Sequence, residues 1–382
     1  DTPQCAHASW QDTSMHLAHI TPSIFAGLGL TSATDLLSLG QSPHGKEVLF
    51  LVDGLGADVI ERYKDLIPTL HSFTNHGIVA TSFPSTTATS LATLMTGELP
   101  GTHAMLGYTV RVPRSGGRVL NSLKWDERVD PHVWQSVPTL FERAAEENIS
   151  VSHVAAKRYE NTGFTQAVFR GATYRGANIL PDMIAETKSA LSSEPSFAYV
   201  YINDLDVAGH SDGVGSDKWC AALSYVDQVA KALVTQLPRG TRIFLTADHG
   251  MVNVEEKIVL GQDNDLLSDI ETIAGEPRAR HLYLTQAADS PSARSEFADK
   301  WREFLGDRAD VFTREEVTQN QLFGPSLVEN ALDRMGDVIA VARGGVILID
   351  PERTALEGAM VGHHGGSSEI ESSVPLLSRV IN

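Results

Sequence analysis

The amino-acid sequence predicts an α/β fold in which helices cover both faces of a mostly parallel central sheet. Short apolar runs, including 47–52 and 242–247, suit strands that are buried on both faces of such a sheet. Longer stretches with helical spacing, such as 216–236, lie between these runs. Strands that alternate with helices are typical of parallel sheets, and 382 residues are enough to bury a sizeable core.

The elements follow one another in a regular order. The strand over 47–52 leads through a tight turn into a predicted helix over 57–66. A strand over 78–81 precedes a helix over 88–96, which ends at Gly97 because glycine is a common helix stop. The remaining pattern predicts strands over 151–155, 197–202, 242–247, 281–285, 338–342 and 346–350, and helices over 179–192, 216–236 and 292–305.

We expect a single catalytic domain over 1–382 with two insertions or excursions. Residues 98–135 are rich in glycine, proline, arginine and aromatic residues, which indicates an irregular excursion over the sheet. Residues 255–350 contain further strands and a helix, and we expect them to form the second insertion. The sequence contains no internal repeat and no low-complexity tract.

Composition and charge argue against some classes of function. The 30 lysine and arginine residues and 48 aspartate and glutamate residues give a net charge of −18, which argues against binding to nucleic acid. No stretch approaches the roughly 20 apolar residues that span a bilayer, so we expect no membrane span. We expect a soluble protein and favour the cytoplasm over export.

Cys5 and Cys220 could pair, but we favour free thiols because cytosolic disulfides are rare. The sequence does not indicate the oligomeric state.

Acidic and histidine side chains follow three of the predicted strands. They are Asp53 after 47–52, Asp206 after 197–202, and Asp248 with His249 after 242–247. In open α/β sheets, ligands bind beyond the carboxyl ends of the strands. Asp206 and His210 are four residues apart, so on a helical turn both could bind one cation. Mixed oxygen and nitrogen ligands suit Zn²⁺ and, less strongly, Mn²⁺, so this pattern predicts a metal site.

The segment 83–90 is rich in hydroxyl side chains at the start of a predicted helix. Such residues usually cap the helix, and capping explains most of them. One hydroxyl could instead contact a metal ion, which would lower its pKa enough for an alkoxide to attack near neutral pH. The free N–H groups of the first helical turn would then contact phosphate oxygens. We therefore interpret the chain as a metal-dependent phosphoester hydrolase.

Five motifs in a fixed order give the chain a family resemblance. They are VDG at 52–54, FPSTT at 83–87 with MTG at 95–97, DxxGH at 206–210, TADHGM at 246–251 and GxHG at 362–365. Together they resemble the alkaline phosphatase superfamily and, within it, the nucleotide pyrophosphatase/phosphodiesterase branch. The resemblance implies an alkaline-phosphatase-like three-layer α/β/α sandwich with loop insertions over the active-site edge.

The resemblance also implies two divalent metal ions, with zinc favoured over manganese. One ion would be bound by Asp53, Asp248, His249 and the hydroxyl of Thr87, and the other by Asp206, His210 and His364. Thr87 is chosen by aligning the family's threonine-bearing segment with this chain, which leaves Thr86 as the nearest rival. His364 is preferred to His363 because the family ligand directly precedes glycine.

The implied activity is that of a phosphodiesterase or nucleotide pyrophosphatase, which hydrolyses a small phosphoester or nucleotide through a phospho-threonine intermediate at Thr87. The branch commonly carries an asparagine after the nucleophile that contacts the phosphate, whereas this chain has Ala88, Thr89 and Ser90. Ser90 could replace that contact in part. Tyr108 is a candidate substrate contact, with core packing as the equal alternative. Two alternatives stay open: a phosphomonoesterase or phosphonate hydrolase on the same metal core, and a catalytically silent metal-binding protein.

Overall fold

A computed structural model describes residues 15–382 of the chain. In chain order the strands are β1 (Lys46–Val52), β2 (Thr74–Ala80), β3 (Thr109–Arg111), β4 (Val119–Asn121), β5 (Ser150–Ala155), β6 (Thr173–Gly176), β7 (Ser196–Ile202), β8 (Arg242–Thr246), β9 (Val252–Asn253), β10 (Glu256–Val259), β11 (Ile270–Glu276), β12 (Ala279–Leu284), β13 (Ala309–Thr313), β14 (Val338–Ala342), β15 (Val346–Ile349), β16 (Gly362–His363) and β17 (Ser373–Val380).

The α-helices lie between these strands. In chain order they are α1 (Leu17–Gly27), α2 (Val59–Arg62), α3 (Pro68–His71), α4 (Thr87–Thr96), α5 (Pro100–His103), α6 (Pro131–Trp134), α7 (Leu140–Glu146), α8 (Gly163–Val168), α9 (Leu180–Ala190), α10 (Asp204–Asp212), α11 (Asp217–Gln236), α12 (Pro291–Leu305), α13 (Arg314–Gln319), α14 (Glu329–Arg334), α15 (Thr354–Glu357) and α16 (Glu369–Ser372). Single 3-10 turns cover Lys64–Leu66, Lys157–Tyr159, Gln286–Ala288, Gly306–Arg308 and Pro351–Arg353.

Seven strands of the described residues form the central sheet, in the order β2-β17-β8-β1-β7-β5-β6. Six of these strands run parallel, and β17 runs antiparallel between β2 and β8. The carboxyl ends of the six parallel strands therefore share one edge of the sheet. The prediction of an α/β fold with a mostly parallel central sheet is confirmed.

The centre of the sheet is buried on both faces. Residues 48–52 of β1 are 0% exposed, and the neighbouring strands β7 and β8 are almost as buried. Successive side chains of a strand point to opposite faces, so this burial requires cover on both sides. Helices α1, α4 and α7 contact one another in one group, and α3 and α9 contact α11 in another. These two groups supply the two outer layers.

A second, antiparallel sheet lies within residues 255–350. It has the strand order β11-β12-β14-β13, and α12 packs against β13. Its core is a hydrophobic cluster of its own that includes Leu282, Trp301 and Val311. The hairpin of β3 and β4, from the segment 98–135, contacts β11. The division of the chain into one domain with two insertions stays a prediction.

The helix predicted over 57–66 is broken in two. The structure has α2 at Val59–Arg62 and a 3-10 turn at Lys64–Leu66. Tyr63 between them leaves the helical conformation (φ −119°, ψ 25°), and its ring packs edge-on against Trp219 with 4.9 Å between the ring centroids. Tertiary packing therefore overrides the local helical pattern.

Strand β17 is not evident from the sequence pattern because it contains Pro375. Proline lacks an N–H group and is usually confined to edge strands. Here the ladder between β17 and β8 covers only 377–380, so Pro375 interrupts no hydrogen bond on that side. Because β17 is antiparallel, its first residue, Ser373, lies at the edge where the parallel strands end.

Two expectations from composition concern the membrane and the cysteines. Among residues 15–382, no helix is long and apolar enough to cross a bilayer. Cys220 is half-buried, whereas Cys5 lies outside the described residues, so the expectation of free thiols is not tested.

Candidate active site

The predicted metal ligands meet where the parallel strands end. Asp53 directly follows β1, Asp206 lies on α10 after β7, and Asp248 lies two residues beyond β8. Strands β8, β1 and β7 are neighbours, so their ends bring these carboxylates together. His364 reaches the same place from the loop after β16. The side chains form two groups, which we term the first and the second group.

The first group consists of Asp53, Asp248 and His249, whose ligand atoms all lie within 4.8 Å of one another. The Nε2 atom of His249 is 3.2 Å from Asp53 Oδ1 and 3.5 Å from Asp248 Oδ2. The backbone N–H groups of Gly54 and His249 donate to Asp248 Oδ1, which leaves Oδ2 for the group. Thr87 Oγ1 lies 3.2 Å from His249 Nε2. The four side chains thus converge, and their role as metal ligands stays a prediction.

The second group consists of Asp206, His210 and His364. Asp206 Oδ1 is 3.4 Å from His210 Nε2 and 3.7 Å from His364 Nε2, and the two Nε2 atoms are 3.2 Å apart. Asp206 and His210 share one face of α10, as their spacing predicts. The neighbouring His363 instead accepts the backbone N–H of His364 at its Nδ1 atom.

Backbone carbonyl groups orient the three imidazole rings. In each ring Nδ1 lies 2.9 Å from a carbonyl oxygen: His249 with Gly250, His210 with Gly362, and His364 with Ser85. When the single proton of a neutral ring is on Nδ1, it is donated to that carbonyl, and the Nε2 lone pair faces the centre of the group. Metal-binding histidines are held in this manner.

The two groups are adjacent in one cleft. The imidazole rings of His249 and His364 stack with 3.5 Å between their centroids and 9° between their planes. Gly54 has φ +78°, and a Cβ atom there would lie 3.2 Å from the Cα and Cβ atoms of Asp206. Glycine at this turn therefore allows the end of β1 to approach α10 closely.

Three buried carboxylate oxygens of the two groups lack a hydrogen-bond partner within the described residues. They are Asp53 Oδ1, Asp206 Oδ1 and Asp248 Oδ2. Imidazole Nε2 atoms lie 3.2–3.7 Å from them, and buried carboxylates grouped this closely are costly unless cations compensate their charge. These oxygens converge with the Nε2 atoms of three imidazoles, and such a mixed donor set suits Zn²⁺ or Mn²⁺. The residues therefore fit divalent cations.

The first group holds protons tightly when no cation is bound. Burial, together with the negative charge of Asp53, raises the pKa of Asp248 to about 7. Burial by itself would lower the pKa of His249, but the charges of the three nearby carboxylates outweigh it and raise this pKa to about 10. Cation binding therefore has to displace protons, which makes it weaker at lower pH.

Thr87 stands at the N-terminus of α4. Thr86 is the N-cap residue with an extended backbone (φ −132°, ψ 148°), and its side chain makes no capping hydrogen bond. The first N–H groups of a helix have no intrahelical partners and attract anions. The hydroxyl of Thr87 and these N–H groups therefore lie together beside the first group.

A cavity of about 130 Å³ opens beside Thr87 and Asp53. Its lining includes five aromatic side chains, which are Tyr159, Phe164, Phe169, Tyr199 and Tyr201. The hydroxyl of Tyr201 donates a hydrogen bond to the carboxylate of Asp53. The cavity thus offers space for a flat or apolar group next to the candidate nucleophile.

His153 belongs to none of the five motifs, but in the structure it lies beside the candidate nucleophile. His153 lines the cavity and pairs in register with Tyr199, between β5 and β7. Burial lowers the pKa of His153 to about 3, so its ring is neutral. Its Nδ1 atom has no hydrogen-bond partner among residues 15–382. Only the order of the strands in the sheet could have indicated this position.

Ser90 and Tyr108 lie outside the lining of this cavity. Ser90 is fully buried, and its Oγ atom has no hydrogen-bond partner in the described part of the chain. Tyr108 donates its backbone N–H to Glu276, and its ring centroid lies 5.9 Å from the guanidinium carbon of Arg353. A substrate contact by either residue stays a prediction.

Comparison with known sequences indicates one family. The sequence profile of type I phosphodiesterase / nucleotide pyrophosphatase matches residues 48–367. An uncharacterized pyrophosphatase/phosphodiesterase of Schizosaccharomyces pombe is 23% identical over 236 residues, covering 57% of this chain and 47% of that protein. Ectonucleotide pyrophosphatase/phosphodiesterase family member 1 of Rattus norvegicus is 23% identical over 218 residues, covering 53% of this chain and 24% of that protein. The matches thus span about half or less of these curated relatives.

Comparison with solved structures indicates the same fold. Murine and human ectonucleotide pyrophosphatase/phosphodiesterase 5 both superpose with a TM-score of 0.68 over 87% of each chain, at 16% and 17% sequence identity. An inactive threonine-to-alanine variant of the murine protein in complex with AMP superposes with a TM-score of 0.66. At this level of identity the likeness concerns the fold.

Proposed function

The chain belongs to the type I phosphodiesterase / nucleotide pyrophosphatase family, and from this premise we propose that it hydrolyses phosphodiester or pyrophosphate bonds in small, nucleotide-like substrates. The membership confirms the family resemblance of the five motifs. The observation that carries the proposal is the position of Thr87. Its Oγ1 atom lies 3.2 Å from His249 Nε2, at the N-terminus of α4 and beside the first group.

Two divalent metal ions, zinc in preference to manganese, would occupy the two groups. Asp53, Asp248, His249 and Thr87 would hold one ion, and Asp206, His210 and His364 the other. The unpartnered carboxylate oxygens and the orientation of the imidazoles support this assignment. When bound, the ions would neutralise charge on the phosphoryl oxygens and favour ionisation of the threonine hydroxyl and of water.

Thr87 would act as the nucleophile in a two-step reaction. Attack by Oγ1 forms the Oγ1–P bond while the P–O bond to the leaving group breaks. Water then cleaves the phosphothreonine and restores the hydroxyl. The N–H groups at the start of α4 would hold the non-bridging phosphate oxygens. The inactive threonine-to-alanine variant of the murine relative supports a threonine in this role.

The aromatic cavity would hold a group that is esterified to the phosphate. It lies directly beside Thr87, and the rings of Phe169 and Tyr199 are 5.1 Å apart in its lining. Aromatic side chains bind flat groups such as nucleobases by stacking. The complex of the murine relative with AMP supports a nucleotide as the substrate class.

The comparison of bis(p-nitrophenyl) phosphate with p-nitrophenyl phosphate tests the substrate class. We expect kcat/KM to be at least about tenfold higher for the diester. The diester carries a second aryl group besides the leaving group, and the cavity can bind it, whereas the monoester has no such group. A higher value for the monoester would favour a phosphomonoesterase, to which the absence of the family's asparagine at 88–90 also points. No hydrolysis of either ester or of a nucleotide pyrophosphate would overturn the proposal.

The variant Thr87→Ala tests the nucleophile. We expect kcat to fall at least about a thousandfold, because no covalent intermediate can form without this hydroxyl. Thr86→Ala is the matched control, since it removes the adjacent hydroxyl from a side chain that makes no capping bond. It should retain more than about a tenth of the activity. Comparable losses in both variants would contradict the assignment of Thr87.

A further inference from the structure

Two buried arginine–glutamate pairs link the second sheet to the C-terminal part of the chain. Arg278 pairs with Glu371, and Arg280 pairs with Glu357. All four side chains are at most 5% exposed. The two arginines are two residues apart: Arg278 lies in the turn between β11 and β12, and Arg280 lies on β12. The pairs are alike in chemistry and burial, but they contact different parts of the molecule.

Arg278 fixes Glu371 through both of its carboxylate oxygens. Arg278 Nε donates to Oε1 at 2.9 Å, and Nη2 donates to Oε2 at 2.6 Å. The remaining nitrogen, Nη1, donates to the carbonyl oxygens of Gly344 and Val346 at 2.7 and 2.6 Å. The planar guanidinium group is rigid, and bidentate pairs of this kind fix orientation as well as distance. Glu371 is therefore held in one position relative to the second sheet.

Glu371 in turn contacts a segment from each metal-binding group. Its Oε1 atom accepts the backbone N–H of Gly366 at 2.9 Å, two residues after His364. Its backbone carbonyl accepts the N–H of Gly250 at 2.9 Å, directly after His249. One residue thus bridges the loop of the second group and the strand end of the first.

The other pair makes no comparable bridge among its described contacts. Arg280 Nε donates to the carbonyl oxygen of Leu348 at 2.8 Å, and Glu357 accepts the backbone N–H of Asp350 at 3.0 Å. Arg353 also lies 3.5 Å from Glu357. These partners belong to β15 and the segment that follows it, so this pair serves as a natural comparison.

Stability by itself does not account for the Arg278–Glu371 pair. Removing two charges from water is costly, and well-packed apolar residues in place of a buried ion pair are often as stable or more stable. The contacts of Glu371 suggest a different benefit. We propose that Arg278 and Glu371 are positioning residues that fix the His364 loop against the His249 segment and thereby set the spacing of two bound metal ions. This inference rests on the proposed metal binding by the two groups.

Metal binding to Glu371→Gln tests the proposal without any need for a substrate. Gln has the same shape but cannot pair with Arg278 through two charged oxygens, so the loop loses its fixed position. We expect Zn²⁺ affinity at the weaker site to fall about 10- to 100-fold in competition with a chromophoric chelator. The spin coupling between two bound Mn²⁺ ions, measured by electron paramagnetic resonance, should also change because it depends on their spacing.

Glu357→Gln is the matched control. It removes the charge from a similarly buried pair whose arginine lies only two residues from Arg278, so it reports the general cost of such a change. We expect its Zn²⁺ affinities to stay within about threefold of the parent and its Mn²⁺ coupling to be unchanged. Parent-like affinity and coupling in Glu371→Gln would overturn the proposal, and so would equal changes in both variants.

A second pair of variants covers the case in which Glu371→Gln does not fold. Arg278→Lys keeps the positive charge but loses the bidentate geometry, and Arg280→Lys is its control. Changed metal affinity and coupling in Arg278→Lys alone supports the proposal, and parent-like values overturn it. A parent protein that binds two metal ions but hydrolyses no phosphoester would refute the proposed function while leaving this inference intact.

Discussion

The hydroxyl of Tyr201 donates a hydrogen bond to Asp53 and thereby links an aromatic wall of the cavity to the first group. Burial and the negative charge of Asp53 raise the pKa of Tyr201 well above its ordinary value, so the hydroxyl keeps its proton and donates it. Tyr199 lies two residues earlier on the same face of β7 and also lines the cavity. Its hydroxyl, however, has no hydrogen-bond partner within the described residues. Replacing each tyrosine with phenylalanine therefore distinguishes the contribution of the hydrogen bond from that of the aromatic ring.

We expect Tyr201→Phe to weaken Zn²⁺ binding by the first group about 10- to 100-fold. A hydrogen bond to a charged group is worth about 1.5–3 kcal/mol, and removing the partner of a metal ligand has effects of this size. Tyr199→Phe removes a hydroxyl without a partner and should change the affinity less than about threefold. Chelator competition measures both variants. Equal weakening would show that the ring environment, and not the hydrogen bond, supports Asp53.

At the scale of single elements, the turn after β1 determines how closely the two groups approach. The left-handed backbone of Gly54 would be strained with any side chain, and an added Cβ would also press on Asp206. Gly116 has a similar φ of +72°, but an added Cβ would meet nothing within 4 Å. The two glycines therefore share the backbone strain and differ in the contact.

We expect Gly54→Ala to lower the free energy of unfolding by about 1–3 kcal/mol and to reduce the metal content below that of the parent. The second group is affected because Asp206 has to move away from the new methyl group. Gly116→Ala should lose about 1 kcal/mol through strain alone and keep the parent metal content. Denaturant unfolding and elemental analysis measure these quantities. A parent-like metal content in Gly54→Ala would show that the close approach does not matter for binding.

At the scale of the whole molecule, the two groups join chain segments that are distant in sequence. The first group joins Asp53 to His249, and the second joins Asp206 to His364. These side chains come together only in the folded chain, so a cation that binds them stabilises the folded state by mass action.

We expect removal of metal by a chelator to lower the stability of the protein by about 4 kcal/mol for each site that was filled at a thousand times its dissociation constant. Thermal melting with and without chelator measures this effect, and His364→Ala should show a smaller shift because it retains the first group.

The shift in melting temperature should also become smaller as the pH falls from about 8 to 6, because the cation must then displace the protons of Asp248 and His249. An unchanged melting temperature after chelator is added to the metal-loaded protein would contradict this account.

The sequence by itself determined the features that depend on local pattern. Apolar runs marked β1, β7 and β8, and the alternation with helices indicated a parallel sheet. A parallel sheet sends the carboxyl ends of its strands to one edge, so residues that directly follow a strand are placed without knowledge of strand order. Asp53 and Asp248 could be located on this ground. His364 could not, because it lies on a loop, and only the family resemblance indicated it.

Only the tertiary structure decided which residues from other segments surround this edge. His153 lines the cavity because β5 lies next to β7, and Glu371 bridges the two groups because β17 enters the sheet beside β8. A sequence pattern specifies the period of a strand but not its neighbours. Neighbours are chosen by long-range packing, which is why the pattern could place Asp53 and Asp248 at this edge but could not indicate His153 or Glu371.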